Sequence, residues 1–109
     1  MQIAGVPFGV TDWSTVPETV HPGERGEARW RTIQVGDARV RMVTYSPGYV
    51  ADHWCSKGHI LLVLEGTLVT EIQDGGSHTM TAGMSYQVAD GESPHRSRTE
   101  GGARLFIVD

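Results

Sequence analysis

Glycine and proline punctuate the whole of this 109-residue chain, 14 and 5 of them, and the stretches left between them are short. Breaks fall at Gly36-Asp37, Ser46-Pro47-Gly48, Ser56-Lys57-Gly58, Glu65-Gly66, Asp74-Gly75-Gly76, Ala82-Gly83, Ala89–Pro94 and Gly101-Gly102. Turn signals about every eight to twelve residues are the pattern of an all-β sandwich or barrel. No window carries a convincing helical period of useful length. Strands are predicted near Glu27–Val35, Arg39–Tyr45, Val50–Cys55, His59–Leu64, Thr67–Gln73, His78–Thr81, Ser85–Val88, His95–Thr99 and Ala103–Val108. Asp74-Gly75, set between two alternating runs, is the strongest hairpin signal. Val40, Met42 and Thr44 alternate with Arg39, Arg41 and Val43, which gives that strand one inner and one outer face.

Residues 1–26 differ in kind. Asp12-Trp13-Ser14, Pro17 and His21-Pro22-Gly23 predict an irregular arm with a short turn or strand, with Trp13 and Phe8 packing it onto the barrel or onto a second subunit. Residues 27–109 form the single folded domain that this length allows. With 39% hydrophobic and 20% charged residues, the composition is that of an ordinary globular protein. A net charge of -4 argues against a nucleic-acid partner. Arg25, Arg29 and Arg31 are the nearest thing to a basic group and read as solvated strand residues. The longest apolar run, Ile60–Leu64, is far too short to span a bilayer. No charged segment followed by an apolar run opens the chain, so no signal peptide is expected. A single cysteine forms no internal disulfide and points to a reduced, cytoplasmic setting.

The chemistry concentrates in Asp52-His53-Trp54-Cys55-Ser56-Lys57-Gly58-His59, with His95 far downstream. On a strand, His53 and Cys55 would share one face and Trp54 the other. A turn at Ser56–Gly58 would return His59 beside them. Imidazole suits zinc, copper, iron and nickel, and thiolate favours zinc or copper. The candidate metal ligands are therefore His53, His59 and His95, with Cys55 as a fourth. Four ligands would close a zinc site tetrahedrally, whereas three would leave an open position of the kind catalysis requires. His21 and His78 read as plain surface residues. Glu65 reads as a turn residue rather than an acid catalyst. Tyr45, Tyr86, Met42, Met84 and Phe106 read as core. Arg41 or Arg104 could meet an anionic substrate, and nothing in the sequence selects either.

At these residues the chain resembles the cupin superfamily. Gly48, His53, Cys55, His59 and Gly66 follow the spacing of its first motif, with Cys55 where a second His is usual and His59 where a Glu is usual. Gly83, Gly91, Pro94 and His95 follow the second, with Thr99 where an Asn is frequent. Over its whole length the chain is similar to a small single-domain cupin family known for an Asp-His-Cys-Trp-type motif, here in the order Asp52-His53-Trp54-Cys55. The resemblance implies a double-stranded β-helix, or jelly-roll barrel, around a divalent transition metal (zinc, iron, nickel, copper or manganese). It implies no particular substrate. A homodimer is expected from the arm and from the habits of that fold. Two functions remain open. One is a metalloenzyme of dioxygenase or isomerase type acting on a small molecule in the barrel, with a three-His centre. The other is a non-enzymatic ligand-binding, structural or sensing protein with a closed His/Cys site, in which Cys55 is the reactive group of a sensor.

Overall fold

A computed structural model describes residues 3–109. The first two positions of the expected arm lie outside the described residues. Eight antiparallel strands form the fold: β1 Glu18–Pro22, β2 Glu27–Val35, β3 Ala38–Tyr45, β4 His59–Ile72, β5 Ser77–Thr81, β6 Ser85–Val88, β7 His95–Arg98 and β8 Ala103–Val108. The strands run in the order β1-β2-β3-β8-β4-β5, with β6 and β7 also pairing with β4.

Strand β4 organises the molecule because it belongs to two sheets. Its first half pairs with β6 and β8, and its second half with β5 and β7. Leu61 and Val63 face inward in the first half, and Leu68 and Thr70 in the second, so the inward parity changes between them. A strand keeps one parity unless an extra residue is inserted. The β4–β8 register does shift between Val63 and Glu65. Gly66 sits there at φ +81°, and a Cβ on it would lie 2.2 Å from the Gly102 carbonyl oxygen. Glu65-Gly66 is thus a bulge within one long strand, not the break between two strands that its composition predicts. The same residue type serves both purposes, and only the neighbouring strand distinguishes them.

Two further expectations change. The predicted strand Val50–Cys55 is a bend held by isolated bridges, Val50 to Arg25 and Arg98, and Cys55 to His95. Asp52 and His53 occupy the bend and bond each other there (Oδ1 to Nδ1, 2.6 Å). The arm contributes more regular structure than expected. Asp12 caps a 3-10 turn at Trp13–Thr15, and β1 extends the sheet by pairing with β2 from Glu18↔Arg31 to Pro22↔Glu27. Trp13 packs edge-on against Phe106, 6.4 Å between centroids, while Phe8 is 96% exposed.

The core is Val43, Leu61, Val63, Leu68 and Leu105, all at 2% exposure or less. Burying each such side chain stabilises the fold by about 1.5–3 kcal/mol. On β3 the buried face is the one that carries Arg41 and Val43. The Arg41 guanidinium lies over the Trp30 ring (4.3 Å to the centroid) and donates to Asp109 (3.0 Å). Arg39 forks onto the same carboxylate with two bonds of 2.9 Å. This ion-pair group at the end of β8 stands beside the first residue of β4, His59.

Candidate metal centre

Three of the four candidate ligands converge inside the barrel. One ligand atom each from Cys55, His59 and His95 lies within 4.8 Å of the others. Each is delivered by a different local device. Cys55 is fixed by reciprocal backbone bonds with His95, 2.7 and 3.0 Å. His59 opens β4 directly after Gly58. Gly58 packs so closely on the Ala89-Asp90 backbone that a Cβ would lie 2.5 Å from the Asp90 nitrogen, and its amide donates to the Asp90 carboxylate at 2.6 Å. His95 opens β7 and is 3% exposed.

His53 stands apart. Its side chain is 74% exposed, it bonds Asp52, and it is not among the three clustered residues. The expectation that it shares a face with Cys55 assumed an uninterrupted strand, and the bend at Asp52-His53 removes that alternation. His78 is exposed, whereas His21 is partly buried and stacks on Trp30 at 3.7 Å between centroids.

The protonation of the cluster follows from its partners. His95 Nδ1 is 3.1 Å from the Ser93 carbonyl oxygen, so Nδ1–H donates and Nε2 carries the lone pair. Ser93 holds a left-handed φ of +39° just before Pro94. For a non-glycine residue that conformation carries strain, which here aims its carbonyl at the imidazole. His59 Nε2 lies 3.1 Å from His95 Nε2 and 2.8 Å from the Tyr86 hydroxyl. His59 Nδ1 is buried without a hydrogen-bond partner, with Asp109 Oδ2 4.0 Å away. Placing the proton on Nδ1, toward that carboxylate, turns both Nε2 lone pairs into the same space. Burial, reinforced by His95 and by the Arg41 and Arg39 guanidiniums, pushes His59 down to about 4 against the pull of Asp109. The ring is neutral at physiological pH, as a metal ligand must be.

These donors fit a transition metal. Two nitrogens on one tetrahedral ion, each about 2.0–2.1 Å from it, sit about 3.3 Å apart, and the observed separation is 3.1 Å. A carboxylate behind a ligating imidazole is the usual supporting arrangement. Tyr86 completes the surroundings. Burial and then the neighbouring Cys55 raise its phenol, while the facing Thr70 and Ser97 hydroxyls oppose the rise. It therefore keeps its proton.

From the sequence alone Tyr86 reads as core and Asp109 has no role. Alternation along Ser85–Val88 places Tyr86 inward but does not identify the residues it faces. Asp109 carries no local signal, because its partners Arg39, Arg41 and His59 lie on two other strands. Of the two arginines considered, Arg41 is the buried one, and Arg104 pairs with Glu65 on the surface.

No family model and no curated protein matches this sequence. Solved structures do. A sugar phosphate isomerase from a cupin superfamily, of Silicibacter pomeroyi, is 18% identical over 92% of this chain and 74% of its own, with a TM-score of 0.72. Ectoine synthase from P. lautus is 17% identical over 93% of this chain and 76% of its own, with a TM-score of 0.75. A predicted oxalate decarboxylase of Thermotoga maritima is 15% identical over 92% of this chain and 96% of its own, with a TM-score of 0.75. The fold they share with this chain is the cupin jelly roll.

Proposed function

We propose that this small cupin is a metalloenzyme whose divalent transition metal is held by Cys55 Sγ and the Nε2 atoms of His59 and His95, and that it acts on a small molecule inside the barrel. The observation that carries the reading is the convergence of those three donors, with both imidazole lone pairs turned inward. His53 lies outside the cluster. A three-residue set leaves a coordination position free, which favours catalysis over a closed structural or sensing site. When bound, the metal supplies Lewis acidity toward a substrate oxygen. The chain supplies the rest. Asp109 orients His59, the Ser93 carbonyl orients His95, and the protonated Tyr86 hydroxyl is positioned to hold or give a proton beside the free position. Dioxygenation and isomerisation are the reaction types proposed. A thiolate ligand suits a reduced, cytoplasmic setting, and a homodimer belongs to the same reading.

Elemental analysis of protein purified without an affinity tag or added metal tests this reading. About one metal per chain is expected in the wild type, in His53→Ala and in His78→Ala, with clear loss in His95→Ala and Cys55→Ser. Loss in His53→Ala as well would restore a closed four-ligand site and the structural or sensing function. Unchanged metal in Cys55→Ser would remove the thiolate from the set. No metal in any variant would overturn the reading.

A further inference from the structure

A cavity of about 300 Å³ opens between β5, the edge of one sheet, and β6, the edge of the other. Its inner wall is made by Thr70, Tyr86 and His95, and its sides by Ile72, Met80 and Val88. His78 lies at its exposed rim. One of the three clustered donors, His95, therefore faces this space directly. The volume is at the small end of ligand pockets.

Two observations bear on what fills it. Thr70 is 3% exposed, and its hydroxyl, although it faces the Tyr86 phenol, is buried with no hydrogen bond of ordinary length. Such a group costs about 1–3 kcal/mol when left unsatisfied, so a partner arriving from the cavity is favoured. In addition, no Asp, Glu, Lys or Arg is among the described residues that line the cavity. The charged groups nearest to His59, namely Arg39, Arg41 and Asp109, are paired with one another on the Nδ1 side of its ring, away from Tyr86 and His95. Apart from the metal itself, an ionised ligand would meet no countercharge on the walls of the cavity and would lose its hydration there.

We propose that this cavity is the substrate pocket of the metal centre, and that it takes a small uncharged molecule with an apolar body and a single hydroxyl or carbonyl oxygen. The oxygen sits at the inner wall, within reach of the Thr70 and Tyr86 hydroxyls and beside His95, and the apolar body lies between Ile72, Met80 and Val88. The proposal rests on the metal reading for what lies behind that wall, but the pocket itself is tested without metal.

The probes are 4-fluorobenzyl alcohol and its charged counterpart 4-fluorobenzoate, followed by fluorine NMR line broadening on chelator-treated protein. The alcohol is expected to bind the wild type more tightly than the carboxylate. Thr70→Val is expected to weaken the alcohol about 2- to 10-fold, the range for one lost neutral hydrogen bond, with Thr70→Ser retaining it. Val88→Phe, checked for native circular dichroism, is expected to lose binding at least about tenfold by filling the space. No broadening by either probe, tighter binding of the carboxylate, or alcohol binding unchanged in both Val88→Phe and Thr70→Val would each overturn the proposal. Metal analysis of the same protein before chelator treatment separates the two failures: a protein that never holds metal but binds the alcohol in this manner loses the metalloenzyme reading alone.

Discussion

At the scale of single residues, His59 does the most. It begins β4, contributes a donor to the cluster, and touches Tyr86, His95 and the Asp109 carboxylate at once. Its depressed affinity for protons has a consequence for stability. Without metal, the folded state holds His59 at about 4 against an ordinary 6.5. Between those values the unfolded chain binds a proton that the folded chain refuses, so stability falls as pH falls. In chelator-treated protein the urea midpoint is expected to be flat above pH 7 and to decline from about 6.5 toward 4. His59→Gln should flatten that decline. A wild-type midpoint unchanged between pH 7 and pH 5 would show that the ring is not buried as described.

Among the elements, β4 is the one whose geometry the site depends on. Its 14 residues carry His59 into one sheet and Thr70 into the other, and the bulge at Gly66 lets both halves turn their apolar side chains inward. Gly66→Ala combines a left-handed backbone with a Cβ driven into the Gly102 carbonyl. The expected cost is about 2–4 kcal/mol by urea denaturation. Because the bulge sets the register of the whole second half, it should also disturb the Thr70 side of the cavity. A loss below about 0.5 kcal/mol would mean that the bulge is formed without help from glycine. The same reasoning explains the composite character of the site. The bend at Asp52-His53 breaks the strand that would have carried His53 inward, and the bridge between Cys55 and His95 resumes pairing in time to place the thiol.

For the whole molecule, the unexplained feature is apolar surface on the arm. Phe8 is 96% and Val10 87% exposed, although Trp13 shortly after them packs on Phe106. Exposed apolar side chains gathered on one segment, Ile3, Val6, Phe8 and Val10, mark a contact surface, and a second copy of this chain is the occupant that the homodimer reading supplies. Light scattering at micromolar concentration is expected to return twice the chain mass, and Phe8→Ser with Val10→Ser to shift it toward the monomer. A monomeric wild type would remove the dimer. Among the described residues, no helix is long and apolar enough to cross a membrane.

The all-β class, the hairpin at Asp74-Gly75, the bounds of β2, β6 and β8, and the candidacy of Cys55, His59 and His95 were legible in the amino-acid sequence. Turn chemistry and strand alternation are local properties, expressed within a few residues. What the sequence left open was whether each glycine ends a strand or bulges it, as at Gly66, and whether alternation survives across a short segment, as it fails to do at His53. Those outcomes depend on the strand lying alongside. The roles of Asp109, Arg41 and Tyr86 were hidden for the same reason. A carboxylate just past the end of β8, two arginines on β3 and an imidazole on β4 become one charge group only when those three strands lie side by side, and burial then determines which of them stay charged.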